Sequence, residues 1–466
     1  MSAPRKVVVI GAGPAGYVCA IRLAQLGQDV TVIEKEEIGG TCLNVGCIPS
    51  KALIAAGSLM HKIGEASTMG IKVKEPELDL PKLIEWKQGI VGRLTGGVTG
   101  LLKNHKCKVV MGTAKLTGKN SVEVTSKDGK QTLKCDDIVI ATGSVPIAIP
   151  GFDFDEKDVW SSTGGLSPDR LPKHIVVIGG GYIGLELGFM YRNLGSEVTV
   201  LEATPGALPG QDRDCVKVIE RSLKKRKIKL MTETFALGYE KKGKKTLVKI
   251  KTKKGEEVVE CDQILSTVGR RPYSEGLGLE AAGLKVEKQG FLKVDDQMRT
   301  SVPNIYAVGD IAGQPMLAHK GSKEGLIAAA VIAGKPDRYD VRCVPAVIFT
   351  APEMASVGET EEQLKERGVK FNVGKFPFAA SGRAMSLMET DGFVKILADA
   401  KTDELLGVHM VGPEVTELIA EAGLAIEMGA TAEDMGRTIH AHPTLPEAMM
   451  EAAEAVHKLA VHIYQK

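Results

Sequence analysis

Short apolar strands, glycine turns and helix-like stretches alternate along the chain, and one such unit occurs twice. The first copy reads KVVVIGAGPAGYVCAIRLAQLGQDVTVIEKE from Lys6, and the second reads HIVVIGGGYIGLELGFMYRNLGSEVTVLEA from His174. Each predicts a β-branched strand, a glycine turn, a helix closed by Gly27 or Gly195, and a second strand ending in glutamate. This is a βαβ pattern, and Glu34 follows Gly11 at the spacing by which Glu202 follows Gly179. Each copy carries G-x-G-x-x-G, as Gly11, Gly13 and Gly16 and as Gly179, Gly181 and Gly184. The first glycine allows the tight turn, the second admits a pyrophosphate, and the third lets helix and strand pack closely. A helix N-terminus attracts the pyrophosphate, and the acid receives the ribose hydroxyls. One such motif is weak. Two complete units at matched spacing predict two dinucleotide sites, between which electrons can pass. After Glu202 the next basic residue is Arg213, so a 2′-phosphate would face a carboxylate without an adjacent arginine, which favours NAD over NADP at the second site.

Between and beyond these units the pattern predicts a helix over Leu80–Asn104, a β-rich stretch over Cys107–Ile140, a linker at Pro146–Pro150, and strand character over Phe291–Ile311. After Arg342 the composition becomes mixed, with strands expected over Val369–Phe378, Phe393–Ala398 and Leu405–Val411. Helices are expected over Glu361–Arg367, Glu414–Met428 and Leu445–Tyr464. The predicted fold class is α/β, with two Rossmann-like dinucleotide-binding domains and a mixed C-terminal domain. The boundaries expected are 1–147 for the first part of one nucleotide domain, 148–271 for the second, 272–342 for a central segment that completes the first site, and 343–466 for the last domain.

The 466 residues suffice for several domains, and 43% apolar residues with a net charge of +2 give a chain that can bury a core. That balance gives no electrostatic case for nucleic acid or a membrane surface. The basic run Arg221–Lys229 reads as a solvated face. Apolar stretches such as Leu326–Ala333 fall short of a membrane span, and the N-terminus lacks the pattern of a secretory signal, so a cytoplasmic protein is expected. In a reducing compartment a disulfide is more often catalytic than structural.

Two of the eight cysteines stand directly after the first unit, in GGTCLNVGCIPSK as Cys42 and Cys47. Zinc sites use closer pairs with further ligands nearby, and none lies there. A disulfide across five positions needs a local turn, which Gly46 can supply. Next to a nucleotide site the pair suits electron exchange, and a hydride acceptor that passes electrons to sulfur should be a flavin. The first dinucleotide is therefore expected to be FAD and the second NAD. Thiol exchange also needs a base. HAHPTLPE near the C-terminus offers His442, with Glu447 to orient it, though a surface turn with two unpaired histidines explains that octapeptide equally well. The cysteine pair tilts the balance toward catalysis.

Together, GGTCLNVGCIPSK, GGGYIGLELG, VGDIAGQPMLAHKG and HAHPTLPEA closely resemble the dihydrolipoamide dehydrogenase family of pyridine nucleotide–disulfide oxidoreductases, over essentially the whole chain. The resemblance implies FAD held by Glu34, Lys51, Gly112, the Ala141-Thr142-Gly143-Ser144 turn, Asp310 and Met316-Leu317-Ala318-His319. It implies NAD at the second glycine turn, with Glu202 on the ribose and Gly269 nearby. Lys51 would pair with Glu186 beside the flavin, Cys47 would be the flavin-side sulfur and Cys42 the exchange sulfur. His442 would be the base and Glu447 its partner. In this family the base crosses a two-fold interface, so the last domain implies an α+β dimerisation domain and a homodimer. The partner implied is a lipoyl domain of a 2-oxo acid dehydrogenase or glycine cleavage complex. Two departures, Pro446 where many relatives have serine and Tyr182 where many have a smaller residue, leave the reacting groups unaltered. Competing readings are a glutathione- or mercuric-type reductase and a non-catalytic flavoprotein subunit. The missing arginines after Glu202 and the absence of cysteines after Cys343 weigh against the reductases, and the presence of both Cys42 and Cys47 against the subunit.

Overall fold

The computed structural model describes residues 4–74, 76–243 and 245–465. The two repeated units form two parallel five-stranded sheets. In the first, Lys6–Ile10 lies between Asp29–Glu34 and Asp137–Ile140, with Lys108–Met111 and Ile305–Ala307 at the edges. In the second, His174–Ile178 lies between Glu197–Leu201 and Gln263–Ser266, with Lys229–Met231 and Val159–Trp160 outside. Registers coincide as well: Lys6 is opposite Asp29, and His174 opposite Glu197. The central strands are buried on both faces, against helices on one face and against a three-stranded antiparallel sheet on the other, which suits their Val/Ile content.

The second nucleotide unit is an insertion in the first. The chain leaves through Ser144–Pro146 and returns through Arg270–Pro272, and these two strands pair antiparallel, Ser144 against Pro272. The returning segment then places Ile305–Ala307 beside Asp137–Ile140 in the first sheet, and the helix Ala318–Ile332 packs on Pro14–Gln25. An antiparallel three-stranded sheet accompanies each unit, over 113–134 and 235–261. The last domain is an antiparallel five-stranded sheet in the order 346–348, 353–358, 405–412, 393–399, 371–377, with the helices Val415–Met428 and Glu447–Val456 packed against it.

Most predicted elements form close to their expected limits, and the helix Leu80–Asn104 has the expected ends. Asp79 caps it by accepting from the Lys82 amide, an interaction worth about 1 kcal/mol. Two expectations are corrected. The helix expected over Leu445–Tyr464 is the ten-residue Glu447–Val456, because Lys458 turns left-handed at φ 61° and the Leu459 amide bonds back to the Glu454 carbonyl. Of Phe291–Ile311, only Ile305–Ala307 is strand, because local turns such as Asp295 N to Arg299 O and Thr300 N to Ile305 O take up the other backbone groups.

By length and composition, the helical stretch Gly40–Met69 could cross a membrane. Here it is broken at Gly46, carries the ion pair of Lys51 with Glu186, and packs against Tyr182–Asn193.

Candidate active site

A long cleft opens at the carboxyl ends of the first sheet. Its wall carries Gly11, Gly13, Glu34, Gly112, Thr142, Gly143, Ser144 and Asp310, together with Cys42, Cys47, Lys51 and Glu186, and also Met316, Leu317 and Ala318. The sequence scattered these residues over 300 positions, and the crossing strands bring them together.

The two glycine turns match atom for atom. A Cβ on Gly16 would stand 1.9 Å from the Gly11 carbonyl oxygen, and one on Gly184 would stand 2.0 Å from that of Gly179. The first glycines turn at φ 104° and 108°, a region that favours glycine. The middle glycines differ from these: a Cβ on Gly181 would meet nothing within 4 Å, and one on Gly13 only the Gly40 Cα at 3.9 Å. Space is therefore kept where a pyrophosphate would approach. The helices that follow, Pro14–Gln25 and Tyr182–Asn193, have no side-chain cap, so their first amides stay available to an anion.

The two acids are held alike. Glu34 accepts from the amides of Ala12 (2.7 Å) and Glu36 (2.9 Å), and Glu202 from those of Gly180 and Thr204 (both 2.7 Å). Each carboxylate uses one lone pair per oxygen on backbone, leaving capacity for two ribose hydroxyls. Arg213, the nearest base after Glu202, is engaged by the Ala207 and Leu208 carbonyls. The residues present thus fit a dinucleotide at each turn, and at the second one without a 2′-phosphate. Gly269, at φ 136°, stands just before the crossing strand Arg270–Pro272, outside the cleft lining.

Cys42 lies in the short helix Gly40–Val45, and Cys47 opens the helix Cys47–Glu65. Gly46 joins them, and a Cβ there would crowd the Thr41 carbonyl at 2.9 Å. Cys42 and Cys47 are free cysteines, placed so that a hydrogen bond from the Cys42 thiol can support a Cys47 thiolate. That bond from Cys42, helped by the Lys51 ammonium, lowers the Cys47 thiol to about 7, whereas the same bond together with burial drives Cys42 far up. A thiolate at a helix N-terminus is also favoured by the helix dipole. The reduced protein is therefore expected to ionise one active thiol at about pH 7 and the other only far above it, measured as two separate rises of thiolate ultraviolet absorbance. A single step near pH 9 would contradict this assignment.

Lys51 donates to Glu186 at 2.8 Å, and the other oxygen of Glu186 accepts from the Phe349 amide, which ties the last domain to the cysteine helix. His442 bonds Glu447 through Nδ1 at 2.8 Å, and Glu447 also accepts from the Thr444 amide at 2.7 Å. Burial opposes the charge on Glu447, but that amide and His442 hold its carboxyl below the ordinary value. His440 is paired too, with Glu421, so the surface-turn reading with two unpaired histidines does not describe this segment. Neither His442 nor Glu447 lines the cleft, and the His442 side chain is 81% exposed. His319 also stands off the cleft wall, with its ring on the Pro345 carbonyl.

Sequence reasoning missed three groups. Arg270 donates to Ser144 from across the crossing strands, and Ser144 donates to Asp310 at 2.5 Å. Lys320 and Glu324 form a buried pair, and Glu324 accepts from the Gly309 amide and so holds the turn that presents Asp310. Lys35 stands over the Tyr273 ring at 4.0 Å. The i, i+4 spacing of Lys320 and Glu324 was the one legible signal; the other two contacts join segments more than a hundred residues apart.

A model of the pyridine nucleotide-disulphide oxidoreductases matches residues 5–325, and one of their dimerisation domain matches 344–453. The chain belongs to the pyridine nucleotide-disulphide oxidoreductases, the class that its doubled nucleotide fold and paired cysteines define. Within them it is similar over nearly its whole length to dihydrolipoyl dehydrogenases. It is 50% identical to that of Thermus scotoductus over 99% of both chains, and 49% identical to that of Bacillus subtilis over 98% of this chain and 97% of the other. Among solved structures, LpdA of Mycobacterium tuberculosis superposes with a TM-score of 0.91 at 29% identity, covering 97% of this chain and 99% of the other. The HOCl-induced flavoprotein disulfide reductase RclA of Escherichia coli gives 0.86 at 28%, covering 97% and 100%.

Proposed function

We propose that the chain oxidises protein-bound dihydrolipoamide to lipoamide and reduces NAD+ to NADH, through a redox disulfide between Cys42 and Cys47. The observation that carries this is the pair Cys42 and Cys47 on the wall of a nucleotide cleft, in a chain so similar to dihydrolipoyl dehydrogenases.

The residues divide the work by their chemistry. His442, held by Glu447, takes a proton from a dihydrolipoyl thiol, and the resulting thiolate attacks the Cys42 sulfur of the enzyme disulfide. Cys47 leaves as the thiolate, which its low proton affinity and the Lys51 ammonium stabilise. The second substrate thiol then attacks the mixed disulfide, closes the lipoyl ring and releases Cys42, which regains its proton. FAD in the cleft and NAD at the second turn supply the two-electron relay that restores the disulfide. Glu34, Gly112, Thr142–Ser144 and Asp310 bind and orient the first of these, and Glu202 the ribose of the second.

Because His442 lies outside the cleft of its own chain, we place it in the site of a second copy. The catalytic unit is then a homodimer, joined through the last domain, that works in the cytoplasm on lipoyl domains. The test is dihydrolipoamide-dependent NADH formation by the purified, flavin-loaded protein. Failure with dihydrolipoamide alongside reduction of glutathione disulfide by NADPH would sink this reading.

A further inference from the structure

The second nucleotide unit and the last domain meet at a charge cluster that the reaction does not use. Lys395, on the strand Phe393–Asp399 of the last domain, is 1% exposed. Its ammonium lies 2.7 Å from Asp212, 2.9 Å from Glu361 and 3.1 Å from Asp214. Glu361 belongs to the last domain, whereas Asp212 and Asp214 begin the helix Arg213–Lys225 of the nucleotide unit. Asp212 is itself 1% exposed and caps that helix, accepting from the amides of Asp214 and Cys215 at 3.1 Å. Burial alone would drive the proton off Lys395, but the three carboxylates outweigh it and hold its proton affinity above the ordinary value. The ammonium is therefore a charged clasp between two bodies.

What the clasp holds is the far end of a short loop. Residues 203–211 run from Glu202 to Asp212. The Thr204 amide donates to Glu202, and the Leu208 amide to the carbonyl of Gly180 in the second glycine turn. The Arg213 side chain grips the Ala207 carbonyl, and Ser356 of the last domain donates to Gln211 at 3.3 Å. Glu202 fixes the loop at one end and Asp212 at the other, with the glycine turn between them.

We propose that Lys395 is a positioning residue for nicotinamide dinucleotide binding: by fixing Asp212 it sets the loop 203–211 against the second glycine turn, so the dimerisation domain controls how well that turn holds NAD. The proposal rests on reading the second turn as the NAD site. A buried ion cluster is a poor source of net stability, but it fixes one relative placement of the bodies it joins. Removing the ammonium alone leaves Asp212 buried without its counter-charge and also lowers stability, so binding is compared on folded dimer, and the double variant, which removes both charges of that pair, serves as the control.

The test is calorimetric titration of flavin-loaded dimer with NAD+, together with stopped-flow reduction by dihydrolipoamide. Binding to the unmodified protein checks the underlying reading first, and its absence would remove both that reading and this one. Lys395→Met is expected to weaken NAD+ binding about fivefold or more, the lower range of coupling between distinct sites, with flavin content and the dihydrolipoamide step unchanged. Asp212→Asn keeps the cap but removes the charge, so it should reproduce the loss. The double variant should bind no worse than either single one. Affinity within twofold of the parent in a folded dimer would overturn the proposal. So would a loss of flavin, dimer or the dihydrolipoamide step in step with NAD+ in both single variants, since that would mark a merely structural role.

Discussion

Replacing Cys47 with serine is expected to abolish dihydrolipoamide turnover, by roughly 10³-fold or more, while the protein stays yellow and folded. The cleft that would hold the flavin is built from the first glycine turn, Glu34 held by backbone amides, and the crossing strands, none of which depends on the Cys47 sulfur. Serine keeps the shape but neither forms a disulfide nor leaves as an anion near neutral pH, where Cys47 ionises at about 7. Flavin content, circular dichroism and turnover measured on one preparation decide the matter. A serine variant with lipoamide activity within tenfold of the parent would show that the electrons do not pass through the sulfurs.

Replacing His442 with glutamine is expected to cost about 10²- to 10⁴-fold in turnover, the usual scale for removing a positioned base. The thiol half-reaction should slow more than reoxidation by NAD+, because only the former moves a proton between sulfurs. The stronger test uses both variants in one dimer. If His442 serves the cleft of the neighbouring copy, a mixed dimer of Cys47→Ser and His442→Gln chains joins an intact cysteine pair to an intact histidine at one of its two sites. That mixed dimer should recover one site's activity although each parent homodimer is inactive. Mixed dimers, purified by two different tags, that stay inactive would refute the shared site. The exposure of His442, bonded to Glu447 but off the cleft wall, is what makes the experiment informative.

Much of this protein was legible because the relevant physics is local. A strand, a glycine turn and a helix within thirty residues set the backbone of each nucleotide site, and the tightest contacts that demand glycine at Gly16 and Gly184, to the carbonyls of Gly11 and Gly179, lie inside the motif itself. The cysteine pair was legible for the same reason, since five positions and one glycine determine whether the sulfurs can meet. The end of the last helix was not, because a left-handed turn at Lys458 leaves no mark in the apolar pattern.

By itself the amino-acid sequence determined the doubled unit, the acids that close each copy and the paired sulfurs, all of which lie within short reach along the chain, and it offered His442 with Glu447 as one of two readings. The boundaries expected from sequence already had 272–342 completing the first site, but only the tertiary structure showed that the crossing is made by paired strands at 144–146 and 270–272, so that Ser144, Arg270 and Asp310 meet. It alone set Lys395 among carboxylates from two bodies, and put His442 outside the cleft of its own chain. Such contacts join segments a hundred or more residues apart. They depend on how whole sheets dock, and no periodicity along the chain records that docking.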